Sequence, residues 1–372
     1  MKQRKHAPDF VLFATVLILL AFGIVMVYSA SEYVSRSATR SETNPDGYNH
    51  FFVRRQLMWA GLGVVVMLFT MRINYWHLSR LAKMGMLISV ILLILVFIPG
   101  IGVERNGALR WIGIGNQVFQ PSEIAKLALV LWLARVLSQK GKQMEDFRRG
   151  LLPPLLWTAL VCGLVVLEPD LGTAVAIFAV SVVMIFVAGA RWKHLITLGL
   201  IGLVAVVGLI FVSDYRVDRL SFLNPWADPS DSGFQLIQSF YALGSGGLFG
   251  RGLTQSMQKQ FYLPFPYTDF ILAIIGEELG FVGTTGVVVL FAIFIWRGFR
   301  IAMGAPDAFA TLLAAALTSM IGLQAIINIA VVTGCIPTTG IPLPLISFGG
   351  SSMVFTLGAI GVLLNISKYV RE

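Results

Sequence analysis

The chain has 372 residues, a hydrophobic fraction of 56%, only 13% charged residues and a mean hydropathy of +0.80. Such apolarity excludes an ordinary soluble domain and predicts a polytopic membrane protein. The net charge of +9 sits in short Lys/Arg clusters between apolar runs, a topology pattern rather than a nucleic-acid footprint. Cys162 and Cys335 belong to separate apolar runs, and His6, His50, His77 and His194 lack zinc-site spacing. Neither a disulfide framework nor a histidine-bound metal is expected.

In chain order, a basic start (Lys2, Arg4, Lys5) precedes an apolar run from Phe10 to about Tyr28, too long for a cleaved signal and read as a first helix. Further runs of spanning length cover about 56–71, 81–98, 121–138, 151–167, 171–189, 195–213, 270–296, 308–332 and 348–366. The expectation is an all-α integral membrane domain of ten transmembrane helices. With both termini cytoplasmic, the inner segments hold seventeen Lys and Arg against ten outside, Lys126 remaining within a helix. The positive-inside rule therefore puts both ends of the chain in the cytoplasm. Outside lie a polar loop at 31–50, a second at 99–120, the corner Glu168-Pro169-Asp170, a large segment at 214–269 between helices seven and eight, and 333–347. Within the large segment, Ser232 to Leu248 has the makings of a short amphipathic helix, with Phe234, Ile237, Phe240 and Tyr241 on one side.

Polar chemistry concentrates at the end of that segment. Thr268-Asp269 precedes an apolar helix, with Glu277 and Glu278 about two turns further in at about 1.5 Å per residue. Thr268 or Asp269 suits an N-cap, and carboxylates at membrane depth demand a partner or a function. On helix four, Pro121 and Glu123 are ordinary start signals, and Lys126 follows Glu123 by three residues. Lys126 either pairs with a carboxylate (Glu123, Glu168, Asp170, Glu277 or Glu278) or binds an anionic headgroup. Gln324 and Asn328 share a helix face and fit interhelical hydrogen bonding. The Pro/Gly-rich segment from Cys335 to Ser352 fits the wall of a site, because irregular backbone at membrane depth needs protein or a cavity around it.

The motifs RWIGIG (110–115), QPSEIAK (120–126), EPDLGTA (168–174), GLFGRGL (247–253), QKQFYLPFPYTDFILAIIGEELGFVG (258–283) and PTTGIPLPLISFGGSS (337–352) together resemble the SEDS family of bacterial cell-wall proteins. The PTTG and SFGGSS wording is closer to the division and sporulation branch than to the elongation branch. The resemblance implies an inverting peptidoglycan glycosyltransferase that polymerises lipid II at the outer face of the bacterial cytoplasmic membrane, in septal wall synthesis. Its implied partners are lipid II and nascent glycan, a class B penicillin-binding transpeptidase and other division proteins, with no nucleic acid. It further implies Asp269 as the catalytic acid-base residue. Lys126, Glu123, Arg110, Lys259, Glu277, Ser347 and Ser351 are the accompanying candidates for substrate binding. No cofactor is required, although a divalent cation, Mg or Mn, suits a pyrophosphate leaving group. Relatives often carry Glu and His where this chain has Phe265 and Tyr267. A lipid II flippase and a non-catalytic scaffold for the transpeptidase are the competing classes.

Overall fold

The computed structural model describes residues 6–40, 47–105, 107–114, 117–212 and 214–370. The basic residues Lys2, Arg4, Lys5 and Arg371, and part of the expected loop at 31–50, lie outside them. Helices occupy all ten apolar runs: α1 (Phe10–Thr39), α2 (Phe51–Thr70), α3 (Tyr75–Leu95), α4 (Pro121–Ser138), α5 (Leu152–Leu167), α6 (Leu171–Val187), α7 (Trp192–Phe211), α10 (Ile271–Met303), α11 (Ala308–Val332) and α12 (Gly350–Ser367). Between α7 and α10 stand the short α8 (Asp214–Val217) and α9 (Phe234–Ser245). Among the described residues, eight helices are long and apolar enough to cross a membrane, α5 counted together with the helical turn that leads into it, Phe147–Leu167. The remaining two long runs are α4, which carries Glu123, Lys126 and Arg135, and α6, which has 17 residues.

Local chemistry accounts for the ends. Asp9, Asn74, Asp170 and Asp307 cap α1, α3, α6 and α11 by accepting from Leu12 N, Trp76 N, Thr173 N and Ala310 N. Proline opens α4 and α5, where its missing amide costs nothing. Helix α1 runs eleven residues past its predicted end because 29–39 contains no Gly or Pro, and Glu32 pairs with Arg36 one turn on at 2.9 Å.

The expectation of an all-helical chain needs one correction. The 99–120 segment forms a three-stranded antiparallel sheet, β1 (Gly102–Arg105), β2 (Ala108–Ile114) and β3 (Gln117–Phe119), in that order. Arg105 pairs with Ala108 across a two-residue connection, and the register shifts between Val103 and Glu104.

Helices α11 and α12 form the buried centre, whereas α7 is exposed along almost its whole length. Small residues let α2 and α12 approach closely: a Cβ on Gly361 would lie 2.0 Å from Thr70 Oγ1 and 2.3 Å from Met67 O. Polar contacts mark two opposite rims. At the termini face, Asp9 pairs with Arg297, His6 N donates to Lys368 O at 2.9 Å, and Tyr75 OH donates to Asp307 at 2.7 Å. At the loop face, the sheet meets the 168–170 corner, and the 214–270 segment, which carries Asp269 at its end, meets 333–349. Arg110 on β2 donates to Glu168 O at 3.1 Å and to Pro169 O, while Arg219 Nη1 donates to Thr338 O at 2.6 Å.

Candidate active site

Asp269 is the last loop residue but one before α10, yet it does not cap that helix. The cap position is Phe270, without a side-chain bond, so the capping expected of Thr268 or Asp269 is not what the carboxylate does. One carboxylate oxygen lies 2.8 Å from Thr268 Oγ1. The backbone beneath it is strapped down. Asn328 on α11 donates to Asp269 O at 2.7 Å and to Ile341 O at 2.9 Å, Ser347 Oγ donates to Thr268 O, and Phe348 N donates to Tyr267 O at 2.9 Å. The Pro/Gly-rich segment thus walls the site, and Asn328 joins it to the loop. Tyr267 stacks against Phe52 of α2 at 4.5 Å between centroids and meets Phe348 edge-on at 5.8 Å. Asp269 keeps part of its surface accessible, but desolvation raises its carboxyl above the usual value. Thr268, its own amide and the Arg219 guanidinium oppose that rise.

The neighbouring acids serve the protein itself. Helix α10 is broken at Gly280 (φ 67, ψ −162), a conformation essentially restricted to glycine. The break frees backbone groups on both sides, and GLFGRG satisfies them: Arg251 N and Gly252 N donate to Glu277 O and Glu278 O at 3.0 and 2.9 Å, while Phe281 N and Val282 N donate to Gly247 O and Leu248 O at 2.9 and 3.1 Å. A Cβ on Gly250 would sit 2.1 Å from Glu278 O, so only glycine permits this approach. Glu277 accepts from Ser256 Oγ, from Met257 N at 2.9 Å and from Gln258 N at 3.2 Å, with Arg251 at 3.4 Å. Glu278 and Lys259, both fully buried, pair at 3.0 Å, and Ser29 of α1 donates to Glu278 at 2.6 Å.

Lys126 pairs with Glu123 on its own helix at 2.8 Å, both buried. With Ser181 of α6 and Gln324 of α11, Lys126 also lines an internal pocket. Gln324 lies one turn from Asn328, so a single face of α11 serves both this pocket and the strap under Asp269. Arg110 binds the 168–170 corner instead, its guanidinium 3.9 Å from Asp170. Ser347 is buried, bridging Leu343 N at 2.8 Å and Thr268 O. Ser351 opens α12, partly exposed. Glu168 is buried with no partner for either oxygen among the described residues. Arg219 stands in none of the sequence motifs; its neighbourhood with Asp269 depends on long-range packing and leaves no local signal. No group of three or more His, Cys, Asp and Glu able to hold a metal occurs among the described residues.

Bundle and site together define a multi-pass membrane protein with a partly buried carboxylate on a clamped backbone at its loop-rich face. The chain belongs to the family whose model, described as cell cycle protein (FTSW_RODA_SPOVE), matches residues 9–372. It is 50% identical over 372 residues to stage V sporulation protein E of Bacillus subtilis, covering all of both chains. It is 43% identical over 364 residues to a probable peptidoglycan glycosyltransferase FtsW of Geobacter sulfurreducens, covering 98% of this chain and 96% of that one. A solved chain from a peptidoglycan synthase complex that coordinates polymerization and crosslinking superposes with a TM-score of 0.78 at 32% identity, over 97% of this chain and 98% of that one. The rod shape determining protein RodA of Thermus thermophilus superposes at 0.68 with 28% identity, over 98% of each.

Proposed function

We infer that this protein is a peptidoglycan glycosyltransferase that polymerises lipid II, with Asp269 as general base. The observation that carries the reading is Asp269 itself: a partly buried residue on a backbone fixed by three separate straps, its carboxylate released from capping and made more basic by desolvation. An inverting transfer from an α-linked diphosphate to a β-linked glycan needs a base on the attacking hydroxyl. Asp269 takes the proton of the acceptor hydroxyl, the oxygen's electron pair forms the new glycosidic bond, and the bond to the departing diphosphate breaks. Arg219 is placed to meet the negative charge that accumulates there. A single carboxylate beside a guanidinium is no dedicated metal cage; a divalent cation, Mg or Mn, would be held there by that carboxylate together with the diphosphate of the substrate and would take up its charge.

We place ten helices across the bacterial cytoplasmic membrane, both termini inside and Asp269 outside. Helices α4 and α6 complete the count, since the Glu123–Lys126 pair compensates its own charges and 17 residues span about 26 Å, close to the hydrocarbon thickness. The synthase-complex relative supports a transpeptidase partner. The higher identity to a sporulation protein than to FtsW shifts the expected setting from the division septum to sporulation.

The test is Asp269→Asn in purified protein with its transpeptidase, supplied with lipid II in detergent, where a flippase has no second leaflet. The expected outcome is a loss of about 100-fold or more in polymerisation with fold and partner binding kept. Polymerisation within about threefold of the parent would reject general-base catalysis.

A further inference from the structure

Three aromatic side chains on the stretch leading to Asp269 lie open. Phe261, Tyr262 and Phe265 are 63%, 53% and 48% exposed. Two of them are also strained, with φ at 67° for Phe261 and 52° for Phe265, the left-handed region that bulky residues avoid. Straining the backbone of a bulky residue is unfavourable, and among the described residues these three rings enter none of the ring pairs formed around Tyr267. Strain of this kind gathers at sites that bind or react.

The stretch is anchored, so the rings are held rather than loose. Leu263 and Pro266 are buried, Leu263 N donates to Gln258 O at 2.9 Å, and Gln235 Nε2 donates to Pro264 O at 3.4 Å. Inward anchors therefore alternate with outward rings. Phe265 opens a turn that ends at Thr268, one residue before the carboxylate: its carbonyl accepts from Thr268 N at 3.2 Å and lies 3.1 Å from Thr268 Oγ1, the hydroxyl that also reaches Asp269. A turn of this type brings its first and fourth Cα atoms within about 7 Å, the scale of one or two sugar rings. No charged residue lies between Gln260 and Thr268, which points away from a phosphate and toward a neutral part of a substrate.

We propose that Phe265, backed by Tyr262, is a stacking platform for a pyranose ring of the acceptor glycan, holding the reacting hydroxyl at Asp269. The proposal rests on the reading of Asp269 as base. A pyranose carries hydroxyls around its rim and C–H groups on its faces. A face laid on an aromatic ring buries apolar surface and makes C–H···π contacts, while the rim stays free to meet the carboxylate. An aliphatic side chain offers the first of these contributions and not the second.

That difference supplies the test, run on the full-length protein with its transpeptidase and lipid II as probe. Phe265→Leu keeps size and apolarity but removes the ring; it is expected to raise KM about tenfold and shorten the glycan strands, with kcat kept within about threefold. Phe265→Trp is expected to restore both, and Tyr262→Leu to produce a smaller shift in the same direction. A Phe265→Leu enzyme with parental KM and strand length would overturn the platform in favour of a merely apolar, membrane-facing contact. Loss of the transpeptidase from the purified Phe265→Leu complex would overturn it in favour of a protein-docking surface. Activity surviving in Asp269→Asn while Phe265→Leu still raises KM would remove the base and leave the platform standing.

Discussion

Replacing Glu168 by glutamine separates a carboxyl group's shape from its proton. Glu168 is buried with both oxygens unpartnered among the described residues. Burial, and secondarily Asp170, lifts it from 4.5 to about 8 against the opposing pull of Arg110. Its folded-state pKa therefore lies above the unfolded one, and between these values the folded chain holds a proton that the unfolded chain has released. Stability from this group is complete below pH about 4.5 and is lost as pH rises through about 8. At about 1.36 kcal/mol per unit, a rise of roughly three and a half units corresponds to at most about 5 kcal/mol. Glutamine carries no such proton. Thermal unfolding of both proteins in detergent from pH 5 to 9 should show the parent losing several degrees relative to Glu168→Gln as the pH rises. A constant difference between the two curves would refute the reasoning.

Lys259→Met leaves the Glu278 carboxylate buried without its counter-charge and should cost about 3–5 kcal/mol, whereas Lys259→Met with Glu278→Leu should recover most of it; a double variant as unstable as the single would argue against the ion pair. Gly280→Ala should destabilise by more than about 2 kcal/mol, because its conformation disfavours a side chain and the added Cβ would lie 2.4 Å from Gly250 N. Gly286→Ala, in open space on the same helix, is the control expected to unfold no earlier than the parent. For topology, single cysteines at the exposed Ser37 and Ser230 should react with an impermeant thiol reagent from outside intact cells, and one at Gln143 should not. Cys335 is itself exposed and must first become serine; labelling at position 143 with 230 protected would invert the orientation.

The helical runs were legible because hydropathy over spanning lengths is a strong local signal, and the Glu123–Lys126 pair because three residues on a helix make neighbours. Asp269 was legible through the wording around it rather than through periodicity. What local pattern obscured was decided by contacts far along the chain. The sheet has a short-range mark, Asn106-Gly107 between alternating residues, to which hydropathy over spanning lengths is blind. Nothing near Gly280 in the sequence reveals that residues 247–252 complete the broken turn. Glu278 was recognisable as a costly carboxylate and Lys259 only as a substrate-binding candidate; their mutual burial against Ser29 required three elements to meet. The amphipathic helix was expected at about 232–248 and stands at Phe234–Ser245, yet it buries Leu236, Ile237, Ser239 and Ala242 and leaves Tyr241 exposed beside Trp226, because α10 rather than solvent sets its orientation.

The clasp at the termini face bears on biogenesis. Asp9 meets Arg297 across 288 residues and Ser367 across 358. During synthesis the first helix therefore enters the bilayer with its Asp9 cap already made to Leu12 N but with its counter-charge still to come. Chain ends joined in this way make the last helix a lock on the first, so a chain truncated before Arg297 keeps the cap and leaves the acid without its cation at the membrane boundary.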